Sequence, residues 1–220
     1  MLTILLTSYN RPHFIFRTLA SLIVQSNPNW RCIVLDDGSD SETLDVIGEM
    51  TKDKRFQVTL EPQMPDEERR ASVRYSVLIN SVLPSLDTGI VGYLCDNVEY
   101  MPDLVDNVLT WFDDNPAEYS GYVLHRRDMW TKNGTSILGT AAQFGHWDYT
   151  PPNAAPINQP LGLLDHSQVF HRLPTSLRWP EDIAAVKFGD GVFFTQLAQT
   201  YGPIQPIQPG KVLTLEHLVA

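Results

Sequence analysis

Three groups of residues in this chain carry side chains suited to a polar ligand, and each follows an apolar run. The first is Thr7-Ser8-Tyr9-Asn10-Arg11-Pro12. Its hydroxyls and backbone amides, at the positive end of a helix dipole, suit a nucleotide, although Asn before a helix-opening Pro also serves plain capping. The second is Asp36-Asp37-Gly38-Ser39. One carboxylate there would cap a helix, whereas two adjacent carboxylates before Gly-Ser suggest hydrogen bonds to a base or ribose. The third is Asp96-Asn97-Val98-Glu99. An acid at a strand tip can hold a divalent cation, which in turn bridges a diphosphate and stabilises a departing nucleotide.

These groups act together only if the chain brings their strand ends side by side. Apolar runs at residues 2–7, 32–35, 56–60 and 90–94 have the length and composition of buried strands. Between them the apolar spacing turns helical. Asn10 caps a helix begun by Pro12, with Phe14, Ile15, Leu19, Leu22 and Ile23 on its inner face, and Ser39 or Asp40 caps the next. A third helix is expected over 69–83, with Val73, Val77, Leu78 and Val82 on one side. Strand-helix alternation of this kind implies a mostly parallel sheet with helices on both faces. Ligands of such sheets sit at the carboxyl ends of the strands, where all three groups fall.

The second half reads differently. A helix over 102–112 and a strand over 119–126 precede a long irregular stretch, 139–162, rich in Pro, Asn and Gln. Phe144, Trp147 and Tyr149 within it suggest an ordered surface that meets a ligand. A last helix over 191–201 leads to a strand over 212–215.

The 220 residues suit a single domain, with 43% hydrophobic and 19% charged residues. No apolar run approaches the roughly 20 residues of a membrane helix, and no secretory leader is visible, so a cytoplasmic location is expected. Cys32 and Cys95 sit in strand-like runs as buried free thiols. A net charge of -10 argues against a nucleic-acid partner, although a local basic patch would escape that argument.

In their order and spacing these motifs resemble the family 2 glycosyltransferases of the GT-A fold. The resemblance covers residues 2–112 with high specificity and continues more weakly beyond. It implies an α/β fold with a mixed, mostly parallel sheet, whose residues 1–112 bind a nucleotide-sugar donor and whose residues 113–220 supply the acceptor site and catalytic base. Carried over residue by residue, it implies that Thr7, Tyr9 and Arg11 line the nucleotide pocket, that Asp37 touches the base, and that Asp36 supports the loop. Arg74 corresponds to the arginine these enzymes place near the donor, with Arg70 as a further neighbour. Asp96 corresponds to the metal-binding acid. The chain departs from the pattern at Asn97 and Val98, where relatives carry more acids. Asn still offers a carbonyl oxygen to a hard cation, and Val does not. The resemblance therefore implies a weakly held Mn or Mg ion, with His217 as a distant ligand or as an ordinary surface histidine.

An inverting transfer also needs a carboxylate to take the proton of the acceptor hydroxyl as its oxygen attacks the anomeric carbon. Asp190, in Gly189-Asp190-Gly191 before an apolar helix, fits the family's position best, with Asp182 second. Asp190 is compatible with a helix N-cap as well. Asp165 and His166, with Trp147 and Trp179 as sugar-stacking platforms, are candidates for the acceptor side, against the alternative of ordinary core aromatics.

The implied activity is sugar transfer, with inversion, from a nucleoside diphosphate sugar, a UDP-sugar first, to a hydroxyl acceptor. A sugar-nucleotide-binding protein without catalysis is the alternative, suggested by Asn97 and Val98. A nucleotidyltransferase would share the alternating sheet, but it usually opens with a Gly-rich phosphate loop, and residues 7–12 contain no glycine.

Overall fold

The structure is a computed structural model that describes residues 1–130, 136–138, 156–158, 164–182 and 189–219. Strand β1 (Leu2–Ser8) lies at the centre of a seven-stranded sheet and is buried along its whole length. Alternate side chains of a strand point to opposite faces, and β1 serves both. Leu2, Ile4 and Leu6 pack with Ile15, Leu19 and Leu22 of helix α1 (Pro12–Ile23). Leu5 faces the other layer, where Val91 and Tyr93 meet Phe193, Phe194 and Leu197.

Beside β1 run β2 (Trp30–Asp36) and then β3 (Phe56–Leu60), and on its other side β4 (Ile90–Cys95), all parallel. The parallel register puts Ser8 level with Asp36 and Thr7 level with Cys95. The three polar groups thus leave one edge of the sheet. Helix α2 (Ser41–Met50) is capped by Asp40, whose carboxylate accepts the Thr43 N–H at 2.9 Å.

Two local expectations are corrected. Asn10 does not cap α1. It takes a positive φ of 49°, which Asn tolerates better than most residues, and clasps the neighbouring loop. Its N–H donates to Ser39 Oγ at 3.0 Å, and its Oδ1 accepts the Asp40 N–H at 2.7 Å. Pro12 still opens the helix, because its missing N–H costs nothing there. The helix expected over 69–83 is broken into α3 (Asp66–Arg69) and α4 (Arg74–Val82), with a 3-10 turn over Leu83–Ser85. At the break the chain is tied sideways, with Ser72 bridging Asp182 and the Val73 N–H donating to the Glu181 carbonyl at 3.0 Å. Ser76, Ile79 and Asn80 join Leu78 on the buried side, while Val77 and Val82 are only half-buried.

Past α5 (Leu104–Asp114) the expected single strand over 119–126 is two strands in different sheets. Strand β6 (Ser120–Tyr122) joins the main sheet through β9 (Val169–Arg172), which runs antiparallel to both β6 and β4. Strand β7 (Leu124–Trp130) belongs to a second sheet of order β5-β11-β7-β8, where β5 is Val98–Tyr100, β8 is Ser136–Leu138 and β11 is Val212–Val219. Helix α6 (Gly189–Tyr201) and the short β10 (Gln205–Pro206) complete the described elements. The mixed, mostly parallel α/β sheet is therefore as expected, and the second sheet was not foreseen.

Candidate active site

A cleft of about 250 Å³ opens at the carboxyl edge of the main sheet. Tyr9, Asp37 and Asp96 all line it, so the three strand-end groups converge on one place. Thr7 and Arg11 line it too, as does Ser8, whose buried hydroxyl has no hydrogen-bond partner.

Asp96 closes one side. Its Oδ2 accepts the Tyr9 N–H at 3.1 Å, its Oδ1 lies 3.1 Å from Arg11 Nη1, and Thr18 Oγ1 donates to its backbone carbonyl at 2.8 Å. Burial raises the Asp96 pKa above the ordinary aspartate value, against the opposing pull of Arg11 and the Tyr9 N–H.

Asp37 closes the opposite side and is held by two arginines. Arg74 places both Nε (3.0 Å) and Nη2 (2.7 Å) on Asp37 Oδ1. Arg69 donates to Oδ2, and its second nitrogen to the Asp37 carbonyl at 3.1 Å. The Arg69 guanidinium also lies 3.0 Å from the Tyr9 ring centroid. The broken helix makes this possible. In a continuous helix, residues five apart point about 140° away from each other, so residues 69 and 74 could not both meet one carboxylate. Sequence reasoning named Arg74 and missed Arg69. Its second choice, Arg70, is exposed and pairs with Asp66 at 3.4 Å. Asp36 does not line the cleft. It is fully buried beneath the loop, accepting the Ser39 N–H at 2.8 Å and the Ser39 hydroxyl at 2.6 Å.

A second cluster adjoins the cleft. Asp190 lies inside the first turn of α6 rather than before it. Tyr75 donates to its Oδ1 at 3.1 Å, while the His166 backbone N–H and Nδ1 both lie 3.2 Å from its Oδ2. Tyr75 and His166 are themselves cleft residues, stacked at 5.7 Å. Cys95 Sγ lies 2.7 Å from His166 Nε2. Burial pushes the Cys95 thiol up to about 11. Burial also opposes charge on His166, but Cys95, Asp165 and Asp190 together hold its pKa well above the ordinary histidine value.

The other site residues fall elsewhere. Asp182 is exposed, in the bridge to Ser72. Asp165 caps a 3-10 turn over His166–Gln168, accepting the Ser167 N–H at 2.9 Å. Trp179 is not a sugar platform: it is 1% exposed and stacks on Phe193 at 4.5 Å in the core, because Phe193 and Phe194 offer it more apolar contact than water does. Trp147 lies outside the described residues.

His217 does not line the cleft. It is 2% exposed on β11, and its Nε2 lies 2.6 Å from Glu99 Oε1, which also accepts from Arg17 Nε at 2.6 Å. As a metal ligand it would have to leave Glu99. Asn97 is also turned away, donating to the His217 carbonyl at 3.0 Å, and Val98 is buried in β5. The strand-tip donors for a cation thus reduce to the Asp96 carboxylate, whose Oδ1 is shared with a half-exposed Arg11. Among the described residues, one group of three has metal-ligand atoms within 4.8 Å of one another: Asp165, His166 and Asp190.

Residues 3–64 match Glycosyl transferase family 2. The likeness to family 2 rests on those residues, and the fold of the chain is GT-A. It is 29% identical over 213 residues to Protein CgeD of Bacillus subtilis (strain 168), covering 93% of this chain and 47% of CgeD. The chain therefore spans about half the length of that curated relative. Among solved structures, S. aureus TarS 1-349 in complex with UDP superposes with a TM-score of 0.68 at 14% identity, over 99% of this chain and 60% of that fragment. The mannosyltransferase PcManGT from Pyrobaculum calidifontis, in complex with GDP-Man and Mn2+, gives 0.64 at 14% identity, over 98% of this chain and 56% of that one. At such identities these structures speak to the fold. No helix among the described residues is long and apolar enough to cross a membrane.

Proposed function

We propose that the chain transfers a sugar, with inversion, from a nucleoside diphosphate sugar to a hydroxyl acceptor. The observation that carries this reading is the meeting of Tyr9, Asp37 and Asp96 in one cleft, with a hydrogen-bonded carboxylate, Asp190, at its edge.

In this reading the residues of 1–112 hold the donor. Asp37 and the Tyr9 ring receive the base, with Arg69 and Arg74 fixing the Asp37 carboxylate between them. Arg11, half-exposed, is free to turn toward the diphosphate while Asp96 keeps the Tyr9 amide. UDP is the first nucleotide to try, since the similar TarS structure is a UDP complex. A divalent cation, Mn or Mg, held weakly by Asp96, would offset charge on the departing diphosphate. The residues of 113–220 supply the acceptor side. Asp190 removes the acceptor's proton as its oxygen attacks the anomeric carbon from the face opposite the nucleotide, which inverts the centre. Two free cysteines accord with a reducing, cytoplasmic setting.

A binding protein without catalysis is the second reading, favoured by Asn97 being spent on β11. Incubating the chain with a panel of nucleotide sugars, with and without Mn2+ or Mg2+, separates the two. Donor turnover that is lost in Asp190→Asn supports transfer. Donor binding with no turnover under any condition contradicts it.

A further inference from the structure

The Asp190 carboxylate is held from outside its own helix. Both its oxygens accept hydrogen bonds, from elements 115 and 24 residues away in sequence. Oδ1 takes the Tyr75 hydroxyl from α4, and Oδ2 takes the backbone N–H and Nδ1 of His166. A carboxylate only accepts, so Nδ1 carries a proton whether the ring is neutral or charged. The ring cannot turn easily, because its side chain is 9% exposed, its face stacks on Tyr75, and its Nε2 lies against Cys95 Sγ. Cys95 in turn is the last residue of β4 and precedes Asp96 of the donor cleft. Room for this arrangement is left by Gly189, where a Cβ would collide with the Tyr75 hydroxyl. A side chain with two free torsions, at the start of a helix, has thus been fixed in one orientation by partners that are themselves packed.

We infer that His166 and Tyr75 are positioning residues, which aim the Asp190 carboxylate at the place where the donor's reacting carbon sits, with Cys95 anchoring the imidazole. The inference rests on the reading of Asp190 as the base and adds what orients it. A base misplaced by about 1 Å loses on the order of a hundredfold in rate, with ground-state binding largely untouched. Removing the His166 donors should therefore appear in kcat and not in nucleotide affinity.

The test is steady-state kinetics of donor turnover, with calorimetric titration of UDP, for wild type, Asp190→Asn, His166→Ala, His166→Asn and Tyr75→Phe. Asparagine places an amide N–H near the Nδ1 position and cannot reach Cys95. The expected result is a tenfold to hundredfold fall in kcat for His166→Ala with UDP affinity within about twofold, and partial recovery in His166→Asn. Tyr75→Phe should lose about tenfold. Wild-type kcat in His166→Ala alongside an inactive Asp190→Asn would overturn the inference and leave the proposed function standing. An equal fall in kcat and UDP affinity would also overturn it, as damage to the cleft in general. An active Asp190→Asn would instead sink the base assignment itself. If His166→Ala fails to fold, the His166→Asn and Tyr75→Phe pair decides, and full activity in both contradicts the positioning role.

Discussion

Two acidic centres, one on each side of the cleft, are built on opposite plans. On the donor side Asp37 is an ion-pair hub, gripped by Arg69 and Arg74 in a setting where all three side chains are largely withdrawn from water. On the other side Asp190 keeps about a quarter of its side chain in contact with solvent and is held by a phenol and an imidazole. The difference is chemical. Both Asp37 oxygens are taken by guanidinium donors, which leaves the carboxylate a rigid acceptor for a ligand's N–H groups. A carboxylate with exposed lone pairs and firm orientation can receive a proton. In the proposed reading, each centre serves one half of a transfer reaction.

The largest expected effect breaks the second centre. Asp190→Asn should lower turnover by about 10²–10⁴-fold, the usual contribution of a positioned base, while melting within a few degrees of wild type. Turnover assays with thermal melts check this. The first centre should fail the other way. Asp37→Ala strands two partly buried arginines, and urea unfolding should show a loss of about 3 kcal/mol, against less than about 1 kcal/mol for Asp190→Ala. Equal losses would erase the distinction between the two centres.

A third prediction separates the site from the core beneath it. His171 sits five residues after His166 but is fully buried, with Nδ1 donating to the Arg172 carbonyl at 2.8 Å and Nε2 at 2.7 Å from the Tyr93 hydroxyl. Burial lowers its pKa from 6.5 to about 4, so the folded protein holds it neutral. A depressed folded pKa means stability is fully present above about pH 6.5 and is lost as the pH falls toward 4. The loss is on the order of 3 kcal/mol and should flatten in His171→Gln, as read by urea titrations across that range. The smallest effect belongs to Arg11→Ala. Its guanidinium is half-exposed, so nucleotide affinity should fall only a few-fold, with little change in folding.

The sequence was informative where partners are contiguous. The Thr7–Arg11 turn, the Asp36–Ser39 turn and Asp96 each announce themselves within a few residues, and the parallel alternation forces their strand ends together. Thus the central strands and the convergence of these groups on one cleft were legible. Arg69 was not, because its use depends on a helix break at Ser72 and Val73 that local propensity does not reveal; the signal was only a third arginine near Arg70 and Arg74. The Tyr75–His166–Asp190 contact was equally hidden, since its members come from three distant segments. At Trp179 aromatic content alone could not choose between a sugar platform and the core, and stacking on Phe193 places it in the core. For His217 the sequence leaves a metal ligand and a surface histidine equally open, and neither holds, because β11 extends past Leu215 and carries the ring to Glu99.

The central claim is that one cleft binds the nucleotide through Asp37 and performs the chemistry through Asp190. Calorimetric titration of UDP in the presence of Mg2+ into wild type, Asp37→Asn and Asp190→Asn tests it most directly. The account predicts binding to wild type, affinity at least about tenfold weaker in Asp37→Asn, and wild-type affinity in Asp190→Asn. No binding to the wild-type chain, or the same affinity in all three, would contradict it.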